Sequence, residues 1–452
     1  RALSLMRPRG VGGLHRVFVG RDTELELLRA TYRRAAAHAE PHLVTIVGEP
    51  GVGKTRLVRE LWEILAEEEP VPVRRTGRCL PYGDGITYWP LGELLKEHLG
   101  LRDSDRPDEA LRKLEGREIL GLALGLDVAG ELHPLDARER LHEAVVAFVD
   151  ELASERPAVV LVEDVHWAED DLLDLLERIV ADARAPVVML ATARPELHDN
   201  RPGWGAGRRN ATVMWLDPLP AKEASQMLDE MLPAVLPDEL RELVIERADG
   251  NPFFLEELVG ELADAGVLEK RDGAWALGAQ QVNFTMPDTV HAVLAARIDR
   301  LPAPEKAALQ AGAVVGRVFW TSSVVHLLAG EEPDFDLLEE RDLIRSNRGS
   351  MIAGDREYAI KHALTREVAY ASIPKARRGR LHAMLADWLE TGDLGKDEHA
   401  SLLAYHYSEA VKPEDVDLVP SSSGYAGELC TGSGVRVSWP SSGMSWTRPS
   451  SF

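Results

Sequence analysis

Three short apolar runs, separated by amphipathic helical stretches, predict an α/β domain with a mainly parallel sheet over residues 17–215. The runs are 42–47, 158–162 and 186–192, each rich in Val, Leu, Ile or Ala and bounded by turn residues. A Gly-rich turn leads from the first run straight into a helix. After Pro218 the strand signals fade, and the rest of the chain is predicted to be mainly α-helical.

In chain order, residues 1–16 are basic, Gly-rich and aperiodic, and read as a linker or the stub of an upstream region, the more so because the sequence starts at Arg1 rather than Met. Asp22 or Thr23 caps a helix with apolar residues at helical spacing through Ala36. The 42–47 strand and its turn are followed by a helix over 54–68, stopped by Pro70. Helices are expected over 137–155 and 168–183, between the second and third strands and around them. Residues 221–266 read as three helices, divided by Pro233/Pro237 and by Gly250-Asn251-Pro252. Asp272-Gly273 between two apolar runs predicts a hairpin. Residues 286–328 return to helix, and 343–361 read as a β-ribbon turning near Arg348-Gly349. Helices followed by a ribbon form a winged-helix pattern over 283–362. Residues 363–411 are helical again. Residues 419–452 hold 10 serines against 11 in the preceding 418, lose all periodicity, and read as a disordered, frameshifted or foreign tail.

The chain of 452 residues suits about three domains at ~150 residues each. Its net charge of −23 opposes a protein whose main task is gripping nucleic acid or an anionic membrane. Only two cysteines, Cys79 and Cys430, occur, with no Cys/His cluster, which argues against a disulfide scaffold or structural zinc site and for a reduced, cytoplasmic setting. No apolar run approaches the ~18 residues of a membrane span.

The segment Gly48-Glu49-Pro50-Gly51-Val52-Gly53-Lys54-Thr55 fits G-x-x-x-x-G-K-[ST] and sits between a predicted strand and a predicted helix. Glycines allow a loop to wrap phosphates with its backbone N–H groups turned inward, and the following helix adds its positive end. Lys54 is expected on the β- and γ-phosphates and Thr55 on Mg²⁺, with Arg56 beside them. The 159–162 run ends in Glu163-Asp164, two acids at the carboxyl edge of the same sheet. One suits the metal and the other the attacking water. Position after the apolar residues gives the metal to Glu163 and the water to Asp164; the reversed order of acid types leaves the swapped assignment open. Arg194, after the third strand, is placed to sense a γ-phosphate. Tyr88-Trp89 reads as core, Cys79 as a small buried residue, and the Lys375, Arg377, Arg378, Arg380 cluster as a solvated helix start.

These motifs, in this order, resemble the STAND-type signalling ATPases, AAA-like P-loop proteins found in large LuxR-type regulators and fused to class III adenylate or guanylate cyclases. Phe18-Val19-Gly20-Arg21 resembles the family's opening motif, 48–55 its Walker A loop, Glu163 to Ala168 its Walker B region, and Thr192 to Glu196 its sensor segment. Arg78 to Tyr82 with Tyr88 to Leu91 is similar to the segment after the family's second strand. Gly250-Asn251-Pro252-Phe253 resembles its G-x-P motif, while His362-Ala363-Leu364 and Arg380-Leu381-His382 resemble the start of helical repeats. The resemblance implies an α/β P-loop NTPase core (17–215), an all-α lid with a hairpin (216–282), a winged helix (283–362) and the start of TPR-like repeats (363–418). It implies Arg21 and Pro252 flanking ATP or ADP, Mg²⁺ as cofactor, slow hydrolysis, an unidentified effector, and homo-oligomer formation on activation. No cyclase domain and no C-terminal helix-turn-helix is found in the sequence, so effector and output are expected elsewhere. Two other readings remain: a fragment of a DNA-binding transcriptional regulator, and the regulatory part of a cyclase lacking its catalytic domain.

Overall fold

A computed structural model describes residues 18–80, 87–102, 105, 107–232, 236–271, 274–277, 289–347, 350, 352, 354–391, 400–411, 429–430 and 436–437. The first unit contains α1 (Asp22–His38), β1 (His42–Val47), α2 (Lys54–Leu65), β2 (Val73–Arg78), α3 (Trp89–Leu99), α4 (Pro107–Leu114), α5 (Pro134–Leu152), β3 (Ala158–Glu163), α6 (Asp170–Asp182), β4 (Val187–Ala193), α7 (Glu196–Asn200) and β5 (Ala211–Trp215). The five strands form one parallel sheet in the order β2-β3-β4-β1-β5. β1, β3 and β4 are buried at every residue, which is why they read as continuous apolar runs. β2 and β5 escaped the reading of strand runs for the opposite reason. They are the two edges of the sheet, half-exposed, and β2 is Val-Arg-Arg-Thr-Gly-Arg.

Alternate strand residues enter two separate cores. Val160, Val162, Met189 and Ala191 pack with residues of α3, α5 and α6, whereas Val159, Leu161, Val188 and Leu190 pack with α1 and α2. The parallel register places Val47 of β1 beside Ala193 of β4, and β4 beside β3. The chain segments that leave β1, β3 and β4 therefore emerge together along one edge of the sheet, where an open α/β fold binds its ligand.

Three helices, α8 (Ala221–Met231), α9 (Asp238–Ala248) and α10 (Pro252–Asp264), follow as expected and share one apolar cluster. β6 (Leu268–Arg271) and β7 (Ala274–Leu277) pair antiparallel; the expected Asp272-Gly273 turn between them lies outside the described residues. Then come α11 (Val290–Asp299), α12 (Ala303–Val315), β8 (Val318–Trp320), α13 (Thr321–Leu327), α14 (Phe335–Glu340), β9 (Ile344–Ser346) and β10 (Glu357–Ile360). The 286–328 stretch is thus not wholly helical. Val318-Phe319-Trp320 is a short strand that joins the expected ribbon in a β8-β10-β9 sheet, because a three-residue strand leaves no periodic signal. α15 (Ala363–Ala371), α16 (Lys375–Thr391) and α17 (Ala400–Ala410) complete the helices. One apolar cluster takes in Phe253 of α10 and runs from Leu294 to Leu402, so the boundary expected at 362/363 falls inside a shared core. Of the Ser-rich segment, only β11 (Leu429–Cys430) and β12 (Arg436–Val437) are described, paired antiparallel; residues 1–16 and the rest of 419–452 lie outside the described residues. Among the described residues no helix is long and apolar enough to cross a membrane.

Candidate functional site

The Gly48–Thr55 loop connects β1 to α2 at the shared strand edge. Its backbone needs glycine at Gly51 and Gly53, with φ of 86° and 108°. No side chain caps α2, so the loop itself faces the helix's first N–H groups. Lys54 Nζ lies across the loop, donating to the carbonyls of Gly48 and, at 3.1 Å, Glu49. Burial pulls its pKa down to about 8, with Arg194 acting in the same direction and Asp164 against it.

The two acids at the end of β3 part company. Asp164 takes a left-handed backbone conformation, φ 60°, and its N–H donates to Thr192 Oγ1 at 3.1 Å. Its carboxylate lines the cavity over the loop, while Glu163 is absent from that lining. Glu163 is buried and held by Arg78, whose Nε donates at 3.0 Å and whose Nη2 makes a second bond. Burial acts to raise its pKa, but Arg78 and then Arg317 hold it at about 2. Asp164 is pushed up, first by burial and then by Glu163.

Thr55, Arg56, Arg21, Arg194 and Pro252 all line the same cavity. Arg56 pairs with Glu60 and sits 5.8 Å over the Phe18 ring. Arg21 is buried; it donates to Asp217 O, reaches Val52 O at 3.5 Å and pairs with Glu24 at 3.1 Å. Pro252 opens α10, whose N-cap Asn251 accepts from Phe254 N–H and donates from Nδ2 to Pro50 O at 3.0 Å. The lid is thereby sewn to the phosphate loop. Arg194 forms an ion pair with Glu367 of α15.

Gly51 shows how close that seam is. A Cβ there would meet Asn251 Oδ1 at 2.6 Å and Phe253 Cβ at 2.9 Å. Gly51→Ala is expected to cost about 1–3 kcal/mol through left-handed strain and overpacking, seen as a lower denaturant midpoint. A midpoint equal to the parent's would show that the lid does not clasp the loop.

The lining joins all three units. Val19, Leu219, Met227 and Met231, which belong to the apolar cluster of the lid helices, form an apolar part of the lining. Nine Lys or Arg residues line the cavity against four Asp or Glu, a local excess of positive charge in a chain of net charge −23. Sequence reasoning missed Arg59, Arg297, Arg317, Arg345 and Lys361 here. The last four come from α11, the winged-helix sheet and the residues beside its strands, and no local pattern ties them to a loop more than 200 residues upstream. Tyr88 bonds His142 Nε2 at 2.8 Å and packs on the core away from this cavity. Among the described residues no group of three or more His, Cys, Asp or Glu is placed to hold a metal. A Thr55 hydroxyl with one carboxylate fits Mg²⁺, which takes few protein ligands and completes its shell with phosphates and water.

Residues 17–190 match the family model described as AAA ATPase domain. An uncharacterized protein of Rhizobium meliloti (strain 1021) is 26% identical over 429 residues, covering 84% of this chain and 39% of its own length. The crystal structure of a Signal Transduction ATPase with Numerous Domains protein with a tetratricopeptide repeat sensor, from Pyrococcus horikoshii, aligns at TM-score 0.52 and 17% identity, covering 91% of this chain and 50% of that one. The chain thus spans half or less of the length of both relatives. Residues 17–190 thus match an AAA ATPase domain model, and the chain shares the fold of the Pyrococcus horikoshii STAND protein.

Proposed function

We propose that the chain is an ATP-binding, slowly hydrolysing switch that couples the nucleotide's state to the position of its winged helix. The observation that carries this reading is the ion pair between Arg194 and Glu367, which ties the strand edge under the γ-phosphate position to the helix α15. A γ-phosphate that recruits Arg194 must take it from Glu367; ADP need not.

In this reading Lys54 leaves the Gly48 and Glu49 carbonyls for the β- and γ-phosphates, and Arg21 and Pro252 flank the nucleotide. The apolar part of the lining, Val19, Leu219, Met227 and Met231, suits the adenine. Thr55 and Asp164 hold Mg²⁺, the swapped assignment, because Asp164 faces the cavity and Glu163 is engaged by Arg78. Bound Mg²⁺ neutralises charge developing on the phosphate oxygens. Glu163, held by Arg78, fixes the β2–β3 edge. The domain divisions at 216 and 283, a cytoplasmic location, an effector outside the chain and assembly into a homo-oligomer on activation belong to the same reading.

Glu367→Gln tests it. Loss of a half-exposed ion pair is worth up to about 1 kcal/mol, so the ratio of ATP to ADP affinity is expected to rise by about threefold to fivefold. Titration with fluorescent ATP and ADP reads both constants. An unchanged ratio would detach the winged helix from the nucleotide and sink the switch.

A further inference from the structure

Two carboxylates close strand β3, and two guanidiniums meet them. Arg78 of β2 takes Glu163. Arg317, just ahead of β8, brings one nitrogen, Nη1, to 3.9 Å from Glu163 Oε2 and 3.8 Å from Asp164 Oδ2. A single positive centre therefore stands between the two acids. Its side chain is 16% exposed, so the pairing is largely shielded from water.

Arg317 belongs to the winged helix and not to the ATPase sheet. Its carbonyl accepts from Ile360 N–H at 2.7 Å, and the next residue, Val318, pairs with Ala359 of β10. The arm that reaches the acids is mounted on the β8-β10-β9 sheet and moves with it.

We propose that Arg317 stands in for the divalent cation, so that docking of the winged helix and binding of metal at Asp164 exclude each other. The inference rests on the nucleotide reading above and adds the ligand that competes. Charge decides it. Arg78 and Arg317 already balance Glu163 and Asp164, with Lys54 close by. A divalent ion entering beside Asp164 would face a guanidinium at contact distance in a site that screens poorly. One of the two must leave, and Arg317 is the one on a separable arm. Metal arrival is then a release signal for the winged helix, distinct from the Arg194–Glu367 contact.

The test uses the full chain loaded with ADP and titrated with Mn²⁺, free Mn²⁺ being followed by electron paramagnetic resonance. Arg317→Gln is expected to tighten Mn²⁺ binding by about tenfold, and Arg317→Lys, which cannot reach both acids equally, by twofold to fourfold. Adding Asp164→Asn to Arg317→Gln should return the affinity to the parent's weak value. If Arg317→Gln does not fold, Arg317→Lys carries the same comparison. A merely structural salt bridge would lower the melting temperature and leave Mn²⁺ affinity alone; affinities within twofold of the parent in the folded variants overturn the proposal. If ADP fails to bind the parent chain, the nucleotide reading falls and this inference with it. If ADP binds and the metal affinities do not move, this inference falls alone.

Discussion

Lys54→Ala is expected to weaken ATP binding by about 10-fold to 150-fold. The figure follows from a charge-assisted hydrogen bond, worth about 1.5–3 kcal/mol, at about 1.4 kcal/mol per tenfold. The ammonium lies against two carbonyls of its own loop, which a phosphate oxygen would have to replace as acceptors. The variant loses the phosphate contacts and also frees the Gly48 and Glu49 carbonyls. Some loss of loop order is therefore expected, while the sheet beneath, with β1 buried throughout, should keep its fold. Isothermal titration with ATP reads the effect, and far-ultraviolet circular dichroism checks the fold. ATP affinity equal to the parent's in a folded Lys54→Ala chain would remove the phosphate loop from the site.

The legible parts of this molecule were those where one local pattern meets one physical demand. Gly48 to Thr55 was readable because a phosphate-wrapping backbone needs glycines at fixed spacing after a strand. β1, β3 and β4 were readable because strands covered on both faces are apolar throughout. β2 was not read as a strand run. An edge strand needs no such continuity, and its arginines are there for other partners: Arg78 holds Glu163, and Arg74 donates to Trp62 O at 2.9 Å. The same long-range logic hid the far wall of the cavity. Arg317, Lys361 and Arg345 meet the phosphate loop only because the winged helix folds back over it, and a composition that totals −23 gives no hint of a cationic cavity. The sequence placed Glu163 and Asp164 as a pair but not which one faces the ligand. That choice is made by the left-handed turn at Asp164 and by the arginine on the neighbouring strand.

Arg297→Ala is expected to destabilise the chain by about 3–5 kcal/mol, the usual cost of leaving a buried charge without its partner. Arg297 on α11 and Glu257 on α10 are both almost wholly buried and paired. The same guanidinium reaches Asp264 at 3.6 Å and donates to Arg341 O, at the end of α14, at 2.9 Å. Alanine would strand Glu257 and remove the bond that fastens the winged-helix unit to the lid. Arg300, which pairs with Glu261 through two bonds of 2.6 Å, is more exposed and cannot replace it. The loss should therefore be local first. Hydrogen exchange is expected to quicken over 290–391 while β1, β3 and β4 keep their protection, so that unfolding divides into two steps. The double change Arg297→Met with Glu257→Leu should recover most of the loss, since packed apolar side chains of similar volume replace a buried pair at little cost. That rescue separates a charge left unpaired from a cavity left unfilled. If the double variant is no more stable than Arg297→Ala, the loss does not come from a stranded Glu257, and the charged joint between lid and winged helix lies in Arg300–Glu261, Arg341–Asp264 and Lys361–Glu256.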